Sequence, residues 1–155
     1  MTMRYRFLTG RSEMEEIIRK CQVCHIAMVD TDGLPYLLPF NFGYENGILY
    51  FHSARMGKKM GILTRNPNVC VEFSTDYLLR FQSERVGCSY TMKYRSVLAY
   101  GKVEFIEDPE QKTKIMNIVM KNYVSGEFTY NPPSMSEVCC WIVKIEKMEG
   151  KINGY

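Results

Sequence analysis

The ten residues Tyr50-Phe51-His52-Ser53-Ala54-Arg55-Met56-Gly57-Lys58-Lys59 hold the densest potential chemistry in the chain. A β-forming run ends here and a helical pattern begins at Arg55. It continues to about Leu63 and is closed by Asn66-Pro67, because the residue before a proline avoids helical geometry. Cations in a first helical turn oppose the positive end of the helix dipole, so Arg55, Lys58 and Lys59 work against the helix unless an anion is bound. Free backbone N–H groups at the helix start, the Ser53 hydroxyl, close approach at Gly57 and these cations would together cradle a phosphate. The same residues also suit an exposed basic helix end with a solvated face. His52 closes the strand beside the cluster. Its imidazole titrates near neutrality and so suits proton transfer, but a satisfied edge or core histidine has the same sequence signature. Pro39-Phe40-Asn41 is expected to face His52 across a hairpin, where proline removes a ladder donor and frees backbone groups to meet a ligand's polar edge.

Two other stretches carry reactive or binding types. Cys21-Gln22-Val23-Cys24-His25 has the spacing of a c-type haem attachment. It straddles a helix-to-strand junction where Cys21 completes an apolar helical face, which favours buried thiols over covalent haem or a redox dithiol. Adjacent Cys139 and Cys140 on one strand point to opposite faces and cannot share a zinc with that pair, so no metal site is expected. Ser89 to Val97 interleaves Tyr90, Lys93, Tyr94 and Arg95. It reads either as a sheet face of long amphipathic side chains or as part of a dimer interface lining a planar ligand through Tyr94 and Arg95. Trp141 is expected in the core. No GxGxxG, P-loop, Ser-His-Asp arrangement or paired carboxylates can be read from the spacing.

The elements that must position these residues follow from periodicity. Ser12-Glu13-Met14-Glu15 has capping-box spacing, and Met14, Ile17, Ile18 and Cys21 form one apolar face, predicting a helix over about 12–21. A hairpin is expected from Val23 to Phe42 around Thr31-Asp32-Gly33, and a second around Asn46-Gly47. Val69, Val71 and Phe73 alternate in a fourth strand; 76–89 shows no period and reads as a connection. A long strand follows from Tyr90 to about Ile106. Asp108-Pro109-Glu110-Gln111 starts a helix to about 122, Asn131-Pro132-Pro133 argues against regular structure, and Val138 to Met148 is a last strand. Six strands joined mostly by turns, with flanking helices, predict a mainly β, antiparallel barrel or closed sheet.

At 155 residues and 46% apolar content, one domain over 1–155 is expected. The +3 formal charge, from 20 basic and 17 acidic residues spread along the chain, argues against nucleic-acid binding. No apolar run approaches a membrane span, and Met1 to Arg11 alternates arginine with aromatics rather than presenting a signal-peptide core. A cytoplasmic protein with six reduced cysteines is expected.

Cys24 through Asn41, then Gly43 through Ala54, Gly57-Lys58-Lys59, Asn66-Pro67 and Tyr94-Arg95-Ser96-Val97 resemble the pyridoxamine 5'-phosphate oxidase-like FMN-binding split barrels, and most of all their nitroimidazole-resistance branch. The resemblance runs over about 4–149. It implies a six-stranded antiparallel Greek-key split β-barrel, a homodimer, and two FMN molecules at the subunit interface. It places flavin-ring contacts at Pro39, Phe40 and Asn41, further contacts at His52 and Ser53, and the phosphate on Lys58 and Lys59 with Arg55 beside them. Reduction of a small aromatic or nitro-bearing molecule, with His52 close to the flavin, is the implied activity. The pyridoxamine phosphate oxidases themselves carry a C-terminal arginine and histidine pair where this chain ends in Lys151-Ile152-Asn153-Gly154-Tyr155, so that reaction is not expected. Haem- and deazaflavin-using members of the superfamily leave a flavin or haem carrier or sensor as the alternative.

Overall fold

The structure, a computed structural model, describes residues 4–155; the start of the arginine and aromatic run, residues 1–3, lies outside the described residues. In chain order the elements are β1 (Tyr5–Leu8), α1 (Arg11–Lys20), β2 (Cys24–Val29), β3 (Pro35–Phe40), β4 (Gly43–Glu45), β5 (Ile48–Ala54), α2 (Lys58–Arg65), β6 (Asn68–Arg80), β7 (Thr91–Ile106), α3 (Pro109–Lys121), α4 (Pro132–Glu137) and β8 (Val138–Asn153). All strand pairs are antiparallel, in the order β3-β2-β6-β7-β8-β5-β4, with β1 added beside the far half of β8. The described residues thus hold eight strands rather than six, and the sheet does not close.

Its two ends meet through side chains instead of backbone. Phe40 of β3 packs edge-on against Phe51 of β5 and Trp141 of β8, at ring-centroid distances of 6.0 and 5.4 Å. Phe51 and Trp141 stack at 4.4 Å, and both are fully buried. Alternation along β2, β6, β7 and β8 sends Ile26, Val71, Val97 and Val143 into the same interior. The other face of β5 and β8 carries Tyr50, Cys140 and Ile142 under Ile115 and Val119 of α3.

Several local expectations are corrected. The 36–51 region is not one hairpin: β3 stops at Phe40 and pairs β2, while β4 alone pairs β5 around Asn46 and Gly47, whose φ values of 50° and 78° fit a two-residue turn. The break has a tertiary cause, since the backbone N–H of Phe42 donates to Tyr123 Oη at 3.0 Å and its carbonyl accepts from Asn122 Nδ2 at 3.1 Å. Strand β6 runs on to Arg80 through a register shift at Asp76, whose φ is 58°. Strand β8 continues to Asn153 because β1 pairs it from Gly150 onward. Helix α1 is capped by Gly10 without a side-chain bond, and Glu15 holds Arg11 and Arg19 instead of closing a capping box. The Pro132-Pro133 pair starts α4, because the first positions of a helix need no N–H. Asp108 does cap α3 as its sequence predicts, accepting from the Gln111 N–H at 3.0 Å.

Candidate functional site

Helix α2 begins at Lys58, not Arg55, with Gly57 as its N-cap at φ 122° and ψ 170°. Only glycine holds that backbone without strain. The first turn contains no acidic residue, so two lysines sit against the positive helix end unrelieved. Lys58 Nζ lies 4.7 Å from the Tyr36 ring, which sets the α2 start beside β3. Replacing Gly57 with alanine meets no atom within 4 Å, so its effect isolates backbone strain. We expect Gly57→Ala to cost about 1–3 kcal/mol in thermal or urea unfolding, and an unchanged midpoint would show that the turn can relax.

The sheet's open ends border the same region. β3 is paired only on its β2 side, and β5 beyond Tyr50 only on its β8 side, where Phe51, His52, Ser53 and Ala54 face Trp141, Cys140, Cys139 and Val138. Unpaired edge backbone on each strand offers donors and acceptors to a flat polar ligand. Pro39 and Asn41 are exposed on the β3 side, while the Phe40 ring points into the core. Pro39 is paired with His25 of β2, not set across a hairpin from His52.

Alternation gives His52 and Ser53 opposite faces. Ser53 Oγ accepts from Trp141 Nε1 at 3.2 Å inside the barrel. His52 shares the α3-covered face with Tyr50 and is half-buried, and desolvation pushes its pKa below the ordinary imidazole value. Arg55 turns away from α2: its Nε donates to the Ser136 carbonyl at 2.6 Å and Nη2 meets Glu107 at 3.3 Å. Lys58 thus lies beside Tyr36 of β3, Phe40 packs on Phe51 next to His52 and Ser53, and Arg55 faces α4.

Tyr94 and Arg95 lie at the opposite end of β7 from the level of His52. Arg95 is paired to Ile152 and Ile106 to Cys140 along β7, and Cys140 in turn pairs His52. Eleven residues of strand therefore separate Arg95 from the His52 level, roughly 35 Å at about 3.3 Å per residue. Arg95 donates to Asp76 at 2.7 Å and lies 3.8 Å from the Tyr155 ring. Tyr94 lines a cleft of about 370 Å³ with Tyr77, Phe7 and Leu98. Sequence gave no sign of this cleft, because β1 and the extended β6 that wall it were not legible.

The cysteine pair is inert by environment. Cys21 and Cys24 are both buried, and desolvation drives the Cys21 thiol up to about 11 and Cys24 higher still. Such thiols stay protonated and are poor nucleophiles or ligands. Among the described residues no group of three or more His, Cys, Asp or Glu could hold a metal ion.

A sequence model of the pyridoxamine 5'-phosphate oxidase family matches residues 10–152. The chain belongs to that family. A solved structure of a candidate 5-nitroimidazole antibiotic resistance protein from Bacteroides thetaiotaomicron is 38% identical, with a TM-score of 0.89 over 99% of this chain and 90% of that one. An FAD- and haem-binding protein from Mycobacterium smegmatis superposes at TM-score 0.83 with 17% identity, over 96% of this chain and 74% of that one. A flavocytochrome from Azotobacter vinelandii does so at 0.81 and 17%, over 94% and 68%. The last two establish a shared fold. No curated protein matches the sequence. The split barrel is therefore that of the pyridoxamine 5'-phosphate oxidase family, and no helix among the described residues is long and apolar enough to cross a membrane.

Proposed function

We propose that this member of the pyridoxamine 5'-phosphate oxidase family is an FMN-dependent oxidoreductase that reduces a small aromatic or nitro-bearing molecule. The observation that carries the proposal is the α2 N-terminus, where Gly57, free first-turn N–H groups, Lys58 and Lys59 offer a dianion-sized cradle with no internal counter-charge. The donor set suits a phosphate, and the unpaired edges of β3 and β5 suit the polar rim of a flat ring. FMN combines both groups, whereas a haem has no phosphate to place there. The likeness to the Bacteroides protein supports a nitro-bearing acceptor.

FMN, when bound, supplies the two-electron redox chemistry. The protein's share is positional: Lys58 and Lys59 fix the phosphate, backbone at Pro39 to Asn41 meets the ring's polar edge, and Ser53 holds the Trp141 indole that backs β5. His52 holds or gives the proton that the acceptor needs.

Arg95 lies eleven strand residues along β7 from the level of His52, so one ligand beside His52 does not also reach Arg95 within the same chain. We propose that two copies assemble so that the Tyr94 and Arg95 end of one meets the cradle of the other. The β6–β7 arm supports this, since Tyr77, Leu78, Leu79 and Phe81 are all exposed on it. Such a patch on a small protein signals an interface. The test is the visible spectrum and mass of the purified protein, with any released compound identified by mass spectrometry. Flavin bands, released FMN at one per chain and a dimeric mass are expected, followed by turnover of a nitroaromatic with a chemical or enzymatic reductant. A Soret band, or FMN bound without turnover, would move the chain to the carrier or sensor reading.

A further inference from the structure

Between α3 and α4 lies a cleft of about 440 Å³, lined by Arg55, Lys112, Thr113, Tyr130, Pro132 and Met135 together with Glu107, and by neither Lys58 nor Lys59. We propose that this cleft binds a small organic monocarboxylate with a flat apolar body.

Lys112 carries the argument. It is 4% exposed, yet among the described residues no carboxylate lies within salt-bridge distance of it. Its Nζ makes one hydrogen bond, to the Met135 carbonyl at 2.6 Å. An ammonium has three N–H donors, so two are left to point elsewhere. Burying a cation without its counter-charge costs several kcal/mol in a protein interior, and the usual remedy is an anion beside it. Here Lys112 lines the cleft, which offers the space for one.

The remaining walls define the anion. Arg55 adds a second cation, but Nη2 is already 3.3 Å from Glu107, so the cleft holds two positive groups against one negative. The uncompensated charge is +1, which a monoanion neutralises and a phosphate dianion would overshoot. Tyr130, Pro132 and Met135 supply apolar surface, and the Tyr130 ring is fixed by its hydroxyl donating to Asn117 Oδ1 at 2.9 Å. A few convergent polar groups in an apolar concavity is the usual anatomy of a small-molecule site. The helix start is not the source of affinity, because Asp108 already caps α3 by accepting from the Gln111 N–H.

Calorimetric titration of the intact, cofactor-loaded protein with benzoate tests the proposal, with benzamide and inorganic phosphate as comparison ligands. Benzoate is expected to bind in the millimolar range or tighter, at least tenfold more tightly than either comparison. Lys112→Met keeps the volume and removes the charge; it should lower benzoate affinity at least tenfold while flavin content stays unchanged. Should that variant fail to fold, Thr113→Trp fills the cleft from an exposed helix position and should also abolish benzoate binding. No benzoate heat in the parent protein, equal binding of benzamide, or undiminished benzoate binding in the folded variants would overturn the proposal. Because flavin content is read in the same samples, failure here is separable from failure of the FMN assignment.

Discussion

The protein with Lys58→Ala and Lys59→Ala together is expected to bind FMN about 100-fold more weakly. Hydrogen bonds to charged groups contribute about 1.5–3 kcal/mol each, and both side chains are partly solvated, so roughly 3 kcal/mol for the pair is a discounted figure; tenfold in Kd is about 1.4 kcal/mol. The sign of a second effect separates a phosphate cradle from a structural role. Without ligand, each lysine opposes the α2 dipole, an unfavourable contribution of about 0.3–1 kcal/mol. The double variant stripped of flavin should therefore melt no lower than the stripped parent, while the loaded variant melts lower than the loaded parent. Lys58 also packs on Tyr36, so a variant with both lysines changed to glutamine keeps most of the stem and should reproduce the affinity loss. Raising salt should shrink the difference between parent and variant, as screening weakens exposed charge pairs. Equal FMN affinity in parent and variant at low salt would remove α2 from the binding site.

The lysine-bearing start of a helix after Gly57 and the β4–β5 turn were legible in sequence because their causes are local. Gly57, Lys58 and Lys59 are neighbours, and Asn46-Gly47 is a turn whatever surrounds it. The end of β3 was not legible, because what terminates it is a pair of side chains, Asn122 and Tyr123, some eighty residues away in the chain. Gly43 marks the same docking event: a side chain there would come within 2.9 Å of the Ile118 backbone on α3. The long strand β7 was legible and buries Val97 and Ala99 by alternation, yet its neighbour β6 was cut short. Asp76 with positive φ looks like a turn residue, and only the tertiary ion pairs to Lys20 and Arg95 make it a bulge within a continuing strand. Arg55 illustrates the same limit at the site. Its place two residues before Gly57 groups it with the lysines, whereas the Ser136 carbonyl and Glu107 draw it to the α4 side. Local chemistry reads from spacing, and direction requires the partner.

His52→Ala is expected to retain FMN and lower turnover of a nitroaromatic by about 100-fold, the lower part of the range for a positioned general acid or base. The pH dependence distinguishes a proton donor from a residue that merely fills space. Burial lowers the His52 pKa below the ordinary value near 6.5, so the folded protein takes up this proton only at a more acidic pH than the unfolded chain does. For a donor acting from the imidazolium form, kcat/KM should rise as the pH falls, with an inflection below about 6.5. His52→Gln, which cannot titrate, should flatten that profile while keeping a hydrogen-bonding side chain of similar reach. Stability runs in the opposite direction. Well above about pH 6.5 the histidine is neutral in both states and costs nothing. As the pH drops from there toward the folded value, the unfolded chain binds the proton first and stability is lost. The glutamine variant should therefore lose less stability than the parent between about pH 7 and pH 5, and this can be read from melting temperatures on the same samples. A parent profile that is flat in rate, with unchanged turnover in the alanine variant at saturating acceptor, would leave His52 as a half-buried strand residue and assign the proton to solvent.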